Sequence, residues 1–231
     1  RFVTTRDSID TFFTRDGKDY VWRSPAVLKK RGKIFESIDK YSMLRALASV
    51  DRSEVVLLVI DANEGILEQD KHIVGYAVEK KKAIIIVVNK WDLIEKKQNT
   101  QSDFEKKIRK EFQFLEYAPI VFVSAKTSAK VDNIFAKIEQ VHEAYDTHIS
   151  TSLLNDVVQD AQTMNEAPDF NGGRLKIYFV NQANSWPPTF VLFVNKPKYA
   201  HFSYLRYIEN RLRDSFNLDG TPIELVLRER V

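Results

Sequence analysis

Cysteine is absent from the 231 residues. Disulfides and thiolate-held metals are excluded with it, and an intracellular, cytoplasmic setting is the expectation. Long apolar runs are missing too. The longest, Val55–Ile60 and Ala83–Val88, fall far short of the roughly 20 residues that a bilayer-spanning helix needs, so no membrane association is expected. No signal-peptide pattern opens the chain. Charge of one sign is also scarce. Lys and Arg number 35 against 32 Asp and Glu, a net charge of +3, which argues only weakly for a polyanionic partner. Residues 151–231 carry nine basic and nine acidic side chains, so the whole excess lies in residues 1–150. What remains is ordinary globular composition, 44% hydrophobic, at a length that suits one large or two small domains.

The most informative stretch is Ala83-Ile84-Ile85-Ile86-Val87-Val88. Six apolar residues without alternation read as a strand buried on both faces of a parallel sheet. Asn89-Lys90-Trp91-Asp92 follows, where the carboxyl end of the strand opens into a loop and where open α/β sheets bind ligands. This Asn-Lys-x-Asp suits guanine. Ionised Asp92 accepts only, so it can take the ring N–H and the exocyclic amine that guanine presents together and adenine does not. The apolar stem of Lys90 can lie across a flat base. Asn89 donates and accepts, and can brace both the base and a neighbouring loop. A second buried-strand run, Ile120–Val123, leads into Ser124-Ala125-Lys126, a turn whose backbone N–H can reach the guanine carbonyl. One element expected beside such a site is missing. Gly-x-x-x-x-Gly-Lys-Ser/Thr, which sets backbone N–H groups and a lysine around phosphates, occurs nowhere in the chain. Base contacts alone must then supply the affinity.

In chain order, Ser8–Phe13 and Lys18–Trp22 read as a hairpin about Asp16-Gly17. The basic run within Arg23–Lys33 is either a phosphate or RNA contact or a solvated loop. A helix is expected over Ser42–Ala48, a third buried strand over Val55–Ile60, and Gly65–Asp70 leads into a helix that runs to about Glu79. Glu68 and Asp70 read as helix-start carboxylates rather than catalysts. Helices follow over Phe104–Phe112 and Val131–Tyr145. From Ser152 the pattern becomes helix, strand, strand, helix, strand: Leu153–Met164, Leu175–Gln182, Thr189–Val194, Ser203–Phe216 and Pro222–Arg228. That order lays helices on one face of a small sheet. Trp186-Pro187-Pro188 reads as a rigid loop packed on its own domain, with base stacking as the alternative.

Several stretches together resemble the Der/EngA family of bacterial ribosome-assembly GTPases. They include Thr4-Thr5-Arg6-Asp7-Ser8-Ile9-Asp10, Glu64-Gly65-Ile66-Leu67-Glu68-Gln69-Asp70-Lys71, Val87-Val88-Asn89-Lys90-Trp91-Asp92, Pro187-Pro188-Thr189-Phe190 and His201-Phe202-Ser203-Tyr204. The resemblance implies an α/β fold: a P-loop-NTPase-like GTPase domain missing its phosphate loop (residues 1–148), then a small α+β KH-like domain (residues 149–231). It implies GTP and GDP as ligands with magnesium, potassium as an aid to hydrolysis, and a precursor of the large ribosomal subunit as partner. A first GTPase domain and the phosphate loop are expected to precede Arg1 in the intact protein. Asn89, Lys90 and Asp92 match the guanine motif, and Ser124, Ala125 and Lys126 the second base loop. Thr4 and Thr5 match switch threonines, with Thr5 expected on magnesium.

The resemblance fails at the phosphate-contacting positions. Where the family carries Asp-Thr-Ala-Gly, this chain has Ser24-Pro25-Ala26-Val27. Val3 stands where a glycine is expected, and Leu28 replaces a water-orienting side chain. Ser24 supplies no charge, and Val27 lacks the backbone freedom of glycine. Negligible turnover is therefore expected of residues 1–231 alone, and no catalytic residue is assigned. A GTPase-fold scaffold without catalysis, and an RNA-binding module led by the KH-like domain, stand as alternatives. The KH-like stretch has no Gly-x-x-Gly clamp.

Overall fold

The computed structural model describes residues 9–24 and 36–230. The elements run β1 (Ile9–Arg15), β2 (Lys18–Ser24), α1 (Glu36–Asp51), β3 (Val55–Asp61), α2 (Glu68–Glu79), β4 (Ala83–Asn89), α3 (Thr100–Glu111), β5 (Ile120–Phe122) and α4 (Asp132–Tyr145). They continue with α5 (Thr151–Met164), β6 (Asp169–Phe170), β7 (Gly173–Arg174), β8 (Ile177–Ser185), β9 (Pro188–Val194), α6 (Phe202–Phe216) and β10 (Glu224–Glu229). Helix α1 runs past the expected Ser42–Ala48 at both ends, and at its C-terminal end Ser49 and Val50 extend the buried face that Ala46 begins. Val3, Thr4, Thr5, Val27 and Leu28–Lys33 lie outside the described residues.

Strands β3, β4 and β5 form a parallel sheet in that order, with Asp61 in register with Asn89 and Val88 with Phe122. The unbroken apolar run of β4 has a direct cause. Ile84, Ile86 and Val88 pack with Val74, Ala77, Ile108 and Phe112 on one face, while Ala83, Ile85 and Val87 pack with Ile134, Val141 and Tyr145 on the other. Both faces are roofed by helices, so alternation has nothing to select. The β1–β2 hairpin is a separate antiparallel pair turning on Asp16 and Gly17, both at positive φ. It rests on α4. Phe13 and Tyr20 stack at 5.2 Å, Phe135 meets both edge-on, and the Arg15 guanidinium lies 4.2 Å from the Phe135 ring centre. Between β2 and β3 runs a groove of about 900 Å³, lined by Tyr20, Trp22, Val55, Leu57, Val59 and Ile73 among others. The β3 edge facing it pairs with no strand among the described residues.

The second unit is a mixed sheet ordered β10-β9-β8, antiparallel between β8 and β9 and parallel between β9 and β10. Leu154, Val158, Ile177, Val180, Phe190, Leu192, Tyr204, Ile208 and Leu212 form its core beneath α5 and α6. The outer edge of β8 is closed by side-chain amides of α5. Asn155 exchanges two hydrogen bonds of 2.9 Å with the backbone of Val180, and Gln162 does the same with Ile177 at 2.8 and 2.9 Å. An edge covered in this way is not a template for another strand.

The two units are joined by more than the chain. The connection from α6 to β10 reaches into the first unit, where the Gly220 carbonyl accepts from Ile84 N–H at 2.9 Å and Gly220 N–H donates to Tyr117 at 2.8 Å. Thr221 is fully buried, and its hydroxyl donates to the Val141 carbonyl. Arg213 holds this connection in shape by donating to the Leu218 and Thr221 carbonyls, and its guanidinium lies 4.7 Å from the Tyr117 ring centre. Trp186 belongs to the same seam. Its Nε1 donates to Asp146 at 2.5 Å, and its ring meets Tyr145 and His142. The expectation that Trp186 packs on its own domain is corrected, because it contacts the last turn of α4.

Candidate functional site

Three strand ends meet at the carboxyl edge of the β3–β4–β5 sheet. Asp61 closes β3, Asn89 closes β4, and Val123-Ser124 follow β5, with Val123 N–H bonded to the Val88 carbonyl at 2.9 Å. Parallel strands in register deliver their ends to one edge, so the topology brings together loops that are far apart in sequence.

Asn89 spans two of these loops. Its Oδ1 accepts from Ala125 N–H at 3.0 Å, and its backbone carbonyl accepts from Ala62 at 2.9 Å. The bracing expected of Asn89 is present, toward the neighbouring loop. Lys90 turns the chain out of the sheet in the left-handed region, at φ 62° and ψ 31°. Its Nζ meets Asp61 Oδ2 at 2.5 Å, so the stem is drawn toward the end of β3 while still largely exposed. Burial pushes the Asp61 carboxyl up, but the Lys90 bond and the Asn63 N–H overrule it and hold the group below its ordinary value. The same bond to Asp61 raises Lys90. Trp91 is the anchor. It is buried against Phe122 and Phe104, with ring centres 4.5 and 5.5 Å away, and its N–H donates to Val123.

Asp92 is thereby lifted to the surface. It is exposed, and among the described residues its carboxylate takes no hydrogen bond or ion pair. Both oxygens are free for a pair of ligand N–H groups. In the facing loop Ser124 is buried, its N–H bonded to Ala129 and its Oγ accepting from Thr127. Lys126 is exposed, and its backbone N–H has no partner among the described residues. Since Ala125 N–H is spent on Asn89 and Thr127 N–H on Ser124, Lys126 N–H is an open donor between them. Residues Asn89, Lys90, Asp92, Ser124, Ala125 and Lys126 thus share one edge of one sheet, while Thr4 and Thr5 lie outside the described residues.

Asp61 was missed as a member of this group. Its signal was legible, an acid at the end of an expected buried strand. Glu68 and Asp70 behave as helix-start groups. Asp70 Oδ2 accepts from Leu67 N–H at 2.8 Å, and Lys71 bridges Glu68 and Glu111. Among the described residues no three His, Cys, Asp or Glu come together as a metal site.

The chain matches the family described as the elongation factor Tu GTP binding domain over residues 40–160, and the KH-domain-like, C-terminal part of EngA bacterial GTPase enzymes over residues 148–228. Proteins named GTPase Der from Bacillus thuringiensis (strain Al Hakam) and Bacillus cereus (strain B4264) are each 52% identical over 227 residues, which is 98% of this chain and 52% of theirs. The chain thus spans about half the length of these curated relatives. Among solved structures, Era in complex with MgGDPNP and nucleotides 1506–1542 of 16S ribosomal RNA aligns with 98% of this chain and 81% of that one, at a TM-score of 0.52 and 20% identity. Aquifex aeolicus Era bound to GDP.AlF4- aligns at a TM-score of 0.51 and 20% identity over the same shares. At that identity the likeness shows the fold: a GTPase α/β domain followed by a KH-like one.

Proposed function

Because this chain belongs to the family of elongation factor Tu GTP binding domains, and runs on into the KH-like module of EngA GTPases, we propose that it is the guanine-recognising part of a Der-type GTPase that serves ribosome assembly. The observation that carries the reading is the Asn89–Ala125 bond, which fixes two loops beside the free carboxylate of Asp92. Asp92 takes the ring N–H and the amine of guanine. Lys126 N–H meets its carbonyl, and the Lys90 stem, tethered by Asp61, covers one face of the ring. Ser124 holds the second loop in shape.

Domain limits of 1–148 and 149–231 belong to this reading. They are supported by separate cores, one about β4 and one beginning at Ile149. The groove between β2 and β3 supports placing there the parallel strand that leads into a phosphate loop, since the free β3 edge and apolar walls suit a buried strand. Phosphate and magnesium contacts are assigned to that loop and to Thr4 and Thr5. GTP would order the segment about Thr5 and residues 27–33, and hydrolysis would release it. The seam at Gly220 and Trp186 would carry the change to the KH-like domain, and so to a precursor of the large ribosomal subunit in the cytoplasm.

Asp92→Asn in the intact protein tests the base site. An amide accepts one N–H and donates once, which suits xanthine better than guanine. GDP affinity should fall about a hundredfold, the worth of a lost charge-assisted pair of hydrogen bonds, while xanthosine diphosphate gains. An unchanged preference would remove Asp92 from the site.

A further inference from the structure

Beside the seam the two units leave an open cleft of about 1000 Å³. One wall is the connection from α3 to β5, with Phe114 and Pro119, and the other is α6, with Phe202 and Leu205. Phe114 and Phe202 are 48% and 75% exposed, and neither belongs to a core. Large apolar side chains gathered in a cleft mark a place where something docks. The cations lining the cleft are already bonded. Arg213 holds Glu209 and the Leu218 and Thr221 carbonyls. Arg109 donates to the Leu115 carbonyl, and burial lowers its pKa. Arg206 pairs with Glu116 at 2.8 Å, from one unit to the other. The acids are not all engaged. Asp214 and Asp219 line the cleft, stand exposed and take no hydrogen bond or ion pair among the described residues. The side-chain amides of Gln113, Asn210 and Asn217 line it too, equally exposed and without partners among the described residues.

We propose that this cleft docks a short basic peptide of a partner protein, an extended segment with lysines or arginines about an apolar side chain. Three features choose the occupant. Phe114, Pro119, Phe202 and Leu205 offer a seat for the apolar anchor. The unpaired charges, Asp214 and Asp219, are of one sign, so the residues flanking the anchor should be cationic. Each free amide both donates and accepts, which matches the N–H and C=O groups of a peptide backbone. A nucleic acid is disfavoured. Four carboxylates line the cleft against three guanidiniums, all three bonded, so phosphates would meet repulsion there. A metal ion or a small amine would leave the apolar seat empty. The inference goes beyond the proposed function and does not depend on the guanine site.

The test is fluorescence anisotropy of the 231-residue protein with a short labelled peptide of lysines about a central phenylalanine, without nucleotide. Binding should be saturable at low salt and weaken as salt rises, because the paired charges are exposed. Joint Asp214→Asn and Asp219→Asn keeps the shape and removes the charge. It should weaken binding about fivefold, as the loss of two exposed ion pairs does. Phe202→Ala should weaken it about tenfold through the lost anchor contact. A peptide with alanine in place of its phenylalanine should lose the same contact, so that its loss and that of Phe202→Ala do not add. Phe12→Ala removes a ring as exposed as Phe202 but outside the cleft, and should leave affinity unchanged. Every substituted side chain is exposed, and thermal melts check that the fold survives. No saturable binding at the lowest salt, equal binding of a glutamate version of the peptide, or affinity indifferent to the acidic pair or to Phe202→Ala would each overturn the proposal. Sedimentation velocity separates the other occupant. Self-association that both variants abolish would assign the cleft to the basic run of a second copy, residues 28–33, and overturn the choice of a partner protein.

Discussion

Asp61 sets the course of the Lys90 side chain across the strand ends, and the proposed base site inherits that course. Lys90 stands at a positive φ that an L side chain does not favour, and its stem is drawn across the strand ends by the carboxylate of the neighbouring strand. The sign of the coupling follows from the shifts. Asp61 is held below its unfolded value, so its contribution is present above a pH of about 4 and is lost as pH falls through its folded-state value. Lys90 is raised, so its share persists up to about pH 10 and fades above that. Asp61→Asn should therefore lower the melting temperature by a constant amount across neutral pH, with the gap to the parent closing only below about pH 4. A gap that opens instead on acidification would contradict the pairing. Asn89→Ala tests the bracing bond. It strips Ala125 N–H of its acceptor and should cost about 1 kcal/mol in chemical denaturation. GDP affinity of the intact protein should fall at least tenfold, since both loops that frame the base come loose. Loss of stability with full affinity would mean that the bond serves the fold alone.

Among elements, what the sequence made legible was what depends on a run of neighbours. β4 read as doubly buried because six apolar residues in succession have no other home, and its two separate clusters bear that reading out. The hairpin turned where Asp16-Gly17 said it would. Features set by a distant partner were not legible. No local pattern announces that Asn155 and Gln162 will close the edge of β8, since a polar residue on a helix reads as solvent-facing until the strand beside it is known. The bulge at Tyr178 escaped for the same reason, because register belongs to a pair of strands. Trp186 read as a local loop residue because its partners, Asp146, Tyr145 and His142, lie some forty positions upstream. The hairpin's attachment gives an element-scale prediction. The apolar attachment of β1 and β2 to the first unit is Phe13, Tyr20 and Arg15 around Phe135, beside polar contacts from Tyr20 and Lys18 to Glu139 and from Asp10 and Arg23 to Arg52. Phe135→Ala should release the hairpin and raise amide exchange across residues 9–24, while β3, β4 and β5 keep their protection. Equal loss of protection in both would mean that the hairpin and the parallel sheet form one cooperative element.

At the scale of the whole molecule, the α6–β10 connection is the most deeply buried of the contacts that tie the two units together. Gly220 sits at its centre. Its φ of +70° disfavours any side chain, and an added Cβ would lie 2.3 Å from Val141 Cγ2 and 3.1 Å from Pro119 Cδ. Flanking it, Thr221 and the backbone bonds to Ile84 and Tyr117 are already fully used, so the connection cannot shift without breaking them. Gly220→Ala therefore faces both backbone strain and overpacking, together at least about 2 kcal/mol. For a chain of this size that corresponds to a drop in melting temperature of about 4–8 °C. The form of the loss carries more information than its size. Each unit has its own core, so a broken seam should leave both folded and split one transition into two, with the KH-like core about Leu154 and Leu192 melting apart from the core about Ile84 and Ile86. Calorimetry reads this directly. Two transitions in the variant against one in the parent would make Gly220 the coupling through which a nucleotide-driven change could reach the KH-like domain. A single lowered transition would mean that the units are bound together elsewhere, with the Trp186 contact to α4 the next place to cut.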